Sequence, residues 1–279
     1  MTPLLRQYLE WLRVCGRSPR TIVARKEILS RIDHDLEQGL ERATTDELTA
    51  WIFRDDWSAQ TRQTYYGAVK SFFVWACDPY DPKLDHDPSA LLPRAVAPRG
   101  LPRPVSDDQL ADLLQRAVDP YRRYVVLAAY AGLRCCEIAQ LNREDIDEQT
   151  ILIRRGKGGK PGIVPTHASI WAQVKDLPPG PLAVDQIHGN RVGGQYVSIR
   201  TALYFRRDLK LPGVALHRLR HWYGTTVYRS TKDLRVTQEL MRHSSPSTTA
   251  IYTLISDEER HKAIAALPIP TGSLAAKPA

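Results

Sequence analysis

Four stretches of this sequence place cationic side chains where they could act together on a phosphate ester. In His217-Arg-Leu-Arg-His221, positions 217 and 220 are three apart, so on a helix one imidazole and one guanidinium share a face while Arg218 lies on another side. Arg134 follows a glycine break in Ala131-Gly-Leu-Arg-Cys-Cys-Glu-Ile-Ala-Gln-Leu141, between two apolar stretches of helical pattern. Lys157 sits at the tip of Gly156-Lys-Gly-Gly-Lys160 and could present an ammonium to a phosphate or a leaving group. His243 comes 23 residues after Arg220, and Tyr252 nine after that, in Leu240-Met-Arg-His-Ser-Ser-Pro-Ser-Thr-Thr-Ala-Ile-Tyr252. Cationic groups of this kind stabilise the charge that develops on a phosphorane-like transition state. Each piece alone also has an ordinary structural reading. Arg134 can pair with Glu137 along a helix, Lys157 can be a solvated turn lysine, the histidines can be hydrogen-bonded in place, and Tyr252 can be a core aromatic.

Other chemistries are excluded by what surrounds these residues. A phosphate-cradling P-loop needs Ser or Thr after its lysine, whereas Lys160 is followed by Pro161 with no strand–turn–helix pattern around it. The eight histidines are spread along the chain, with no HExxH and no Cys/His pairing at zinc spacing. The reaction is therefore expected to use neither metal nor cofactor. Cys15, Cys77, Cys135 and Cys136 suit neither a disulfide framework nor a metal clamp and read as reduced thiols of a cytoplasmic protein. No run of about 18 apolar residues occurs, so no membrane span is expected. The first ten residues lack the layout of a secretion signal.

The elements that must position these groups fall into two parts. Residues 1–92 read as a four-helix domain. Leu4, Leu5, Tyr8, Leu9, Trp11 and Leu12 recur at helical spacing, Thr21 to Ile32 forms a second amphipathic run, and Thr45 or Asp46 can cap a third helix ending at Phe53. Ser58 to Cys77 gives the fourth. Pro93, Pro98, Pro102 and Pro104 lack backbone N–H groups and fix φ, so residues 93–104 read as an extended linker. Residues 105–266 then read as a mixed α+β domain. Ser106 and Gln109 form a capping box that opens a helix to about Val118, and another helix runs from Tyr121 to Tyr130. Thr150–Arg154 and Gly162–Pro165 form a β-hairpin, and helices follow at 198–208, 217–229, 234–241 and 246–254. The tail 267–279 is small and proline-containing. It fits two readings: a frayed end, or a segment that docks on a neighbouring protomer or is seen by a protease.

Charge points to the partner. The 279 residues carry 39 Lys plus Arg against 31 Asp plus Glu. Residues 1–100 balance at 14 of each, so the whole +8 lies beyond them. The first part is nonetheless polarised, with seven basic and two acidic groups in residues 1–31 and two against eight in residues 32–61. Basic faces of this kind suit a polyanion.

Taken in order, these pieces resemble the tyrosine recombinase (phage integrase) family over nearly the whole chain. Ala131-Gly-Leu-Arg134 with Glu137 and Leu141 is similar to the segment bearing the family's first active-site arginine. Lys157 matches its hairpin lysine, His217-x-x-Arg220 its second box, and Leu240-x-x-His243 with Thr248-Thr-x-x-Tyr252 its last. The first 100 residues resemble its helical core-binding domain, including Ser18-Pro-x-Thr21 and the helix from Thr61-x-x-Thr64 to Trp75. The resemblance implies a mainly α protein, with a four-helix core-binding (SAM-like) domain followed by a mixed α+β catalytic domain with a small β-hairpin. It implies Tyr252 as nucleophile in a 3′-phosphotyrosyl link, Arg134 and Arg220 on the phosphate, Lys157 as general acid, His217 as base and His243 as a phosphate donor. Arg20, Arg25, Arg62 and Lys70 are the expected contacts of the first domain to double-stranded DNA at a recombination core site. The implied assembly is a homotetramer on two duplexes, built from a monomer or weak oligomer in nucleoid-associated cytoplasm, with an accessory directionality protein as a possible partner.

Three departures stand out. Met241-Arg242-His243 occupies the place of the family's usual Leu-Gly-His, Pro161-Gly162 stands where a basic residue is usual, and helical pattern begins almost at Met1, as expected of an arm-less simple type. The first two favour integration and excision of a mobile element over Xer-type resolution of replicon multimers. A catalytically silent DNA-binding regulator is the reading from a different class.

Overall fold

The computed structural model describes residues 1–98, 102–156, 161–185 and 187–242. Lys157, His243, Tyr252, the helix expected at 246–254 and the tail 267–279 lie outside the described residues. Contacts divide the chain into two units, Met1–Gly100 and Leu101–Ala279.

Side-chain caps set where each helix of the first unit begins. Thr2, Ser18 and Ser58 accept the orphan N–H three residues on, opening α1 (Pro3–Val14), α2 (Pro19–Asp35) and α4 (Ala59–Ala76). Pro3 and Pro19 stand at the first helical position, where the missing N–H costs nothing. The third helix, α3 (Thr45–Ile52), is capped by Thr44 rather than by Thr45 or Asp46. Three adjacent residues offer a capping oxygen there, but only Thr44 has a glutamate three positions on, and Glu47 returns a 2.8 Å bond to the Thr44 N–H. Leu5, Tyr8, Leu29, Ile32, Phe72 and Phe73 lead the buried core.

In the second unit, α5 (Asp107–Arg116) opens on the expected Ser106–Gln109 capping box but ends at Arg116, short of Val118. At its centre lies α6 (Tyr121–Tyr130), whose residues 124–129 are all buried. Tyr and Val are mediocre helix formers, by at most about 0.7 kcal/mol per residue. Burying each such side chain returns about 1.5–3 kcal/mol, so packing decides this helix.

A short helix α7 (Cys135–Ile138) follows, then the hairpin of β1 (Thr150–Ile153) and β2 (Gly162–Pro165). Pairing Ile151 with Val164 and Ile153 with Gly162 turns Ile151, Ile153 and Val164 inward. The chain continues through α8 (Ala168–Val174), α9 (Gly194–Arg207), α10 (Leu216–Thr231) and α11 (Leu234–Met241). Sequence periodicity misses α8, which is only seven residues long and is opened by a His167 imidazole accepting the Ser169 N–H. It also starts α9 four residues late. Among the described residues no helix is long and apolar enough to cross a membrane.

Candidate active site

The site is built where α6, α7, α10 and α11 meet. Gly132 ends α6 at φ +60°, a conformation that glycine adopts without penalty. The ring of Tyr223 on α10 closes on it: a Cβ at this position would lie 2.5 Å from Tyr223 Cδ1. Two residues on, Arg134 caps α7. Its backbone N–H donates to Glu137 Oε2 at 2.7 Å and its Nη1 to Glu137 Oε1 at 3.0 Å. The side chain of Glu137 is fully buried while that of Arg134 remains 22% exposed, so the pair anchors the guanidinium without sealing it in. The pairing expected between Arg134 and Glu137 is present.

Arg220, on α10, is 3% exposed. Its Nη1 donates to the Gly132 carbonyl and its Nη2 to that of Met241 at 2.5 Å. One guanidinium therefore ties the loop before Arg134 to the end of α11. Arg218, as the helical spacing expects, points elsewhere and donates to the carbonyls of Arg103, Pro104 and Gly213.

His217 lies one turn from Arg220 and stacks edge-on against His221, with ring centroids 4.2 Å apart. Burial first, then the charges of Arg220 and Arg134, hold His217 below the ordinary histidine value. His221 is pushed down to about 4 by burial, then by His217, Arg220 and Arg218. Burial and the charges of both arginines favour the neutral imidazole at His217, the form that accepts a proton.

This depression has a measurable consequence. As pH falls below about 6.5 the unfolded chain binds protons at these two positions while the folded chain resists, so protonation favours unfolding. Their contribution leaves stability intact above about pH 6.5 and erodes it towards pH 4. Thermal melts are expected to show the midpoint falling across that window, with a shallower fall for His221→Gln. Parallel curves for the two proteins would show that folding does not shift the His221 pKa.

The neighbourhood of the site also holds Arg242, whose partner Glu137 lies 105 residues away in the chain. It ends α11 in the left-handed region, at φ 49°, and its Nη2 donates to Glu137 Oε2 at 2.6 Å.

Of the four contacts expected in the first unit, Arg20 is exposed at the start of α2 and Arg25 is half-buried beside Tyr8. Arg62 donates to the Arg54 carbonyl through Nε and Nη2, at 3.1 and 2.7 Å, and Lys70 Nζ donates to the Ser89 carbonyl at 3.0 Å. Arg62 and Lys70 thus already serve the protein's own backbone.

Residues 104–259, more than half of the chain, match the phage integrase family. The chain belongs to that family. It is a tyrosine recombinase, 29% identical over 273 residues to the tyrosine recombinase XerC of Chromobacterium violaceum, with 91% of each chain covered. XerC of Rhodospirillum centenum is 35% identical over 233 residues, spanning 75% of this recombinase and 67% of its relative. A lambda integrase dimer bound to a COC′ core site has the same fold, at a TM-score of 0.71 and 19% identity over 89% of this chain and 93% of that one. So does XerH bound to a palindromic difH substrate, at 0.66 and 18% over 90% and 81%. The expected mainly helical fold with one small antiparallel sheet is therefore correct, as is the enzyme class, a site-specific DNA recombinase.

Proposed function

We propose that this recombinase cuts and rejoins DNA strands through a 3′-phosphotyrosyl link to Tyr252, in the integration and excision of a mobile element. What carries the reading is the joining of two elements: Arg134, held by the buried Glu137 at the start of α7, and α10, whose Arg220 grips the Gly132 carbonyl two residues before Arg134 and whose His217 lies one turn away. A phosphodiester in this site would meet guanidinium donors at its non-bridging oxygens, where N–H groups gain most as the phosphorane charge develops. Neutral His217 takes the phenol proton as Tyr252 Oη attacks phosphorus. The P–O5′ bond breaks, and Lys157 supplies the proton to the departing 5′-oxygen. His243 adds a further hydrogen bond to the phosphate. The bond energy stays in the tyrosyl ester, so religation needs no nucleotide.

The helical domain, residues 1–92, would grip the duplex, with Arg20 and Arg25 better placed to do so than Arg62 and Lys70, and residues 93–104 would act as the linker to the catalytic domain, residues 105–266. Strand exchange would need four protomers on two duplexes, assembled from weakly associating monomers, with a directionality factor as accessory. The overall match to XerC supports multimer resolution as a second reading. The departures at Arg242 and Gly162 favour the integrase role.

The test is a duplex nicked so that the cleaved 5′ end diffuses away. The wild-type protein is expected to become covalently trapped on it in excess EDTA. Absence of any adduct at saturating duplex would overturn the proposal.

A further inference from the structure

Glu137 presents one buried carboxylate to two guanidiniums. Arg134 takes Oε1 through Nη1, and Oε2 is shared between the Arg134 N–H and Arg242 Nη2. A buried carboxylate paired with Arg134 alone weakens the charge that a phosphate feels, because the two opposite charges sit at contact distance in a poorly screened interior. Arg242 restores the balance: with it, the trio carries a net single positive charge, and Arg134 remains effective towards an anion.

Three details indicate that the structure is shaped around this side chain. Arg242 occupies the left-handed region, which a non-glycine residue adopts at a cost, and it does so at the helix end where glycine would be unstrained. Its path runs over Gly162 at the start of β2: a Cβ on that residue would come within 3.2 Å of Arg242 Cδ, closer than most such contacts. Two of the three departures from the family pattern are therefore neighbours in space, the small residue on the strand leaving room for the large one at the helix end. Finally, Arg242 Nη1 is buried with no hydrogen-bond acceptor, an uncompensated donor of the kind an oxyanion satisfies.

We infer that Arg242 is a positioning residue for the scissile phosphate. It neutralises Glu137 so that Arg134 keeps its charge for the substrate, and Gly162 is the residue that admits it. The inference rests on the phosphoryl-transfer reading of the site, so its test has one arm that needs DNA cleavage and one that does not.

Three variants of the full chain are compared with wild type: Arg242→Gly, Glu137→Gln, and the two combined. Glycine suits the left-handed position, so the first variant is expected to melt no lower than wild type by more than a few degrees. In single-turnover cleavage of the nicked duplex, Arg242→Gly is expected to lose about 10- to 100-fold in rate at saturating DNA, with duplex affinity changed less than about threefold. The double variant has lost one charge of each sign, and it should recover most of that loss. A merely structural role predicts the opposite, with the second substitution adding to the damage.

The second arm measures binding of orthovanadate, a phosphate mimic, by calorimetry without DNA. Affinity should fall in Arg242→Gly and return in the double variant. If the wild-type protein forms no covalent adduct, the recombination chemistry fails, and the vanadate series alone decides the role of Arg242. Cleavage by Arg242→Gly within twofold of wild type, or additive losses in the double variant in whichever arm reports, would overturn the inference.

Discussion

A Tyr252→Phe protein is expected to leave no covalent adduct on a nicked duplex while binding that duplex as tightly as wild type does. The substitution removes one oxygen, the atom that would become bonded to phosphorus, and keeps the ring. The other groups of the proposed site have other tasks: the guanidiniums of Arg134 and Arg220 donate hydrogen bonds, and His217, Lys157 and His243 carry protons or donate to the phosphate. The phenol needs help even when present, since its ordinary pKa is about 10. Neighbouring guanidiniums lower that cost by favouring tyrosinate, which is why the arginines should matter before as well as during bond formation. The loss should be complete at the sensitivity of a denaturing gel, with the dissociation constant changed less than about twofold. An adduct that persists in Tyr252→Phe would show that another residue makes the link, and the assignment would fall.

How far such a site can be read from sequence depends on where the partners of each group lie. The bounds of α6 are legible to the residue, because Pro120 precedes it and Gly132 follows it, and α11 is legible because Asp233 caps an amphipathic run. The shared face of His217 and Arg220, with Arg218 turned away, follows from helical spacing alone. The Arg134–Glu137 pair is local and equally legible. What spacing cannot give is depth or distance. That Glu137 is buried, and that Arg242 reaches it across 105 residues of chain, depends on tertiary packing around α7 and at the end of α11. Gly162 and Arg242 look like two unrelated departures until the packing brings them together. That Arg62 and Lys70 also donate to backbone carbonyls is hidden for the same reason, since those carbonyls belong to loops whose position is tertiary.

Arg220→Ala is expected to slow single-turnover cleavage by about 10³-fold or more, exceeding the 10²–10³ typical of removing a single transition-state donor. The excess comes from its second task. Arg220 holds the Gly132 and Met241 carbonyls together, and through them the Arg134 loop and the end of α11 that carries Arg242. Alanine would leave those two buried acceptors without their donor, at about 1–3 kcal/mol each. The melting temperature should therefore fall as well. A typical domain has about 5–15 kcal/mol in hand, so the variant should remain largely folded at 25 °C and the rate can be read.

Arg220→Lys separates the two tasks. A lysine ammonium keeps the charge, but as a single point it cannot serve two carbonyls on opposite sides as the planar fork does. Its rate should lie between wild type and Arg220→Ala, with stability nearer that of alanine. If Arg220→Ala is folded and cleaves at the wild-type rate, Arg220 is a structural tie alone, and the phosphate must be held by Arg134 without it.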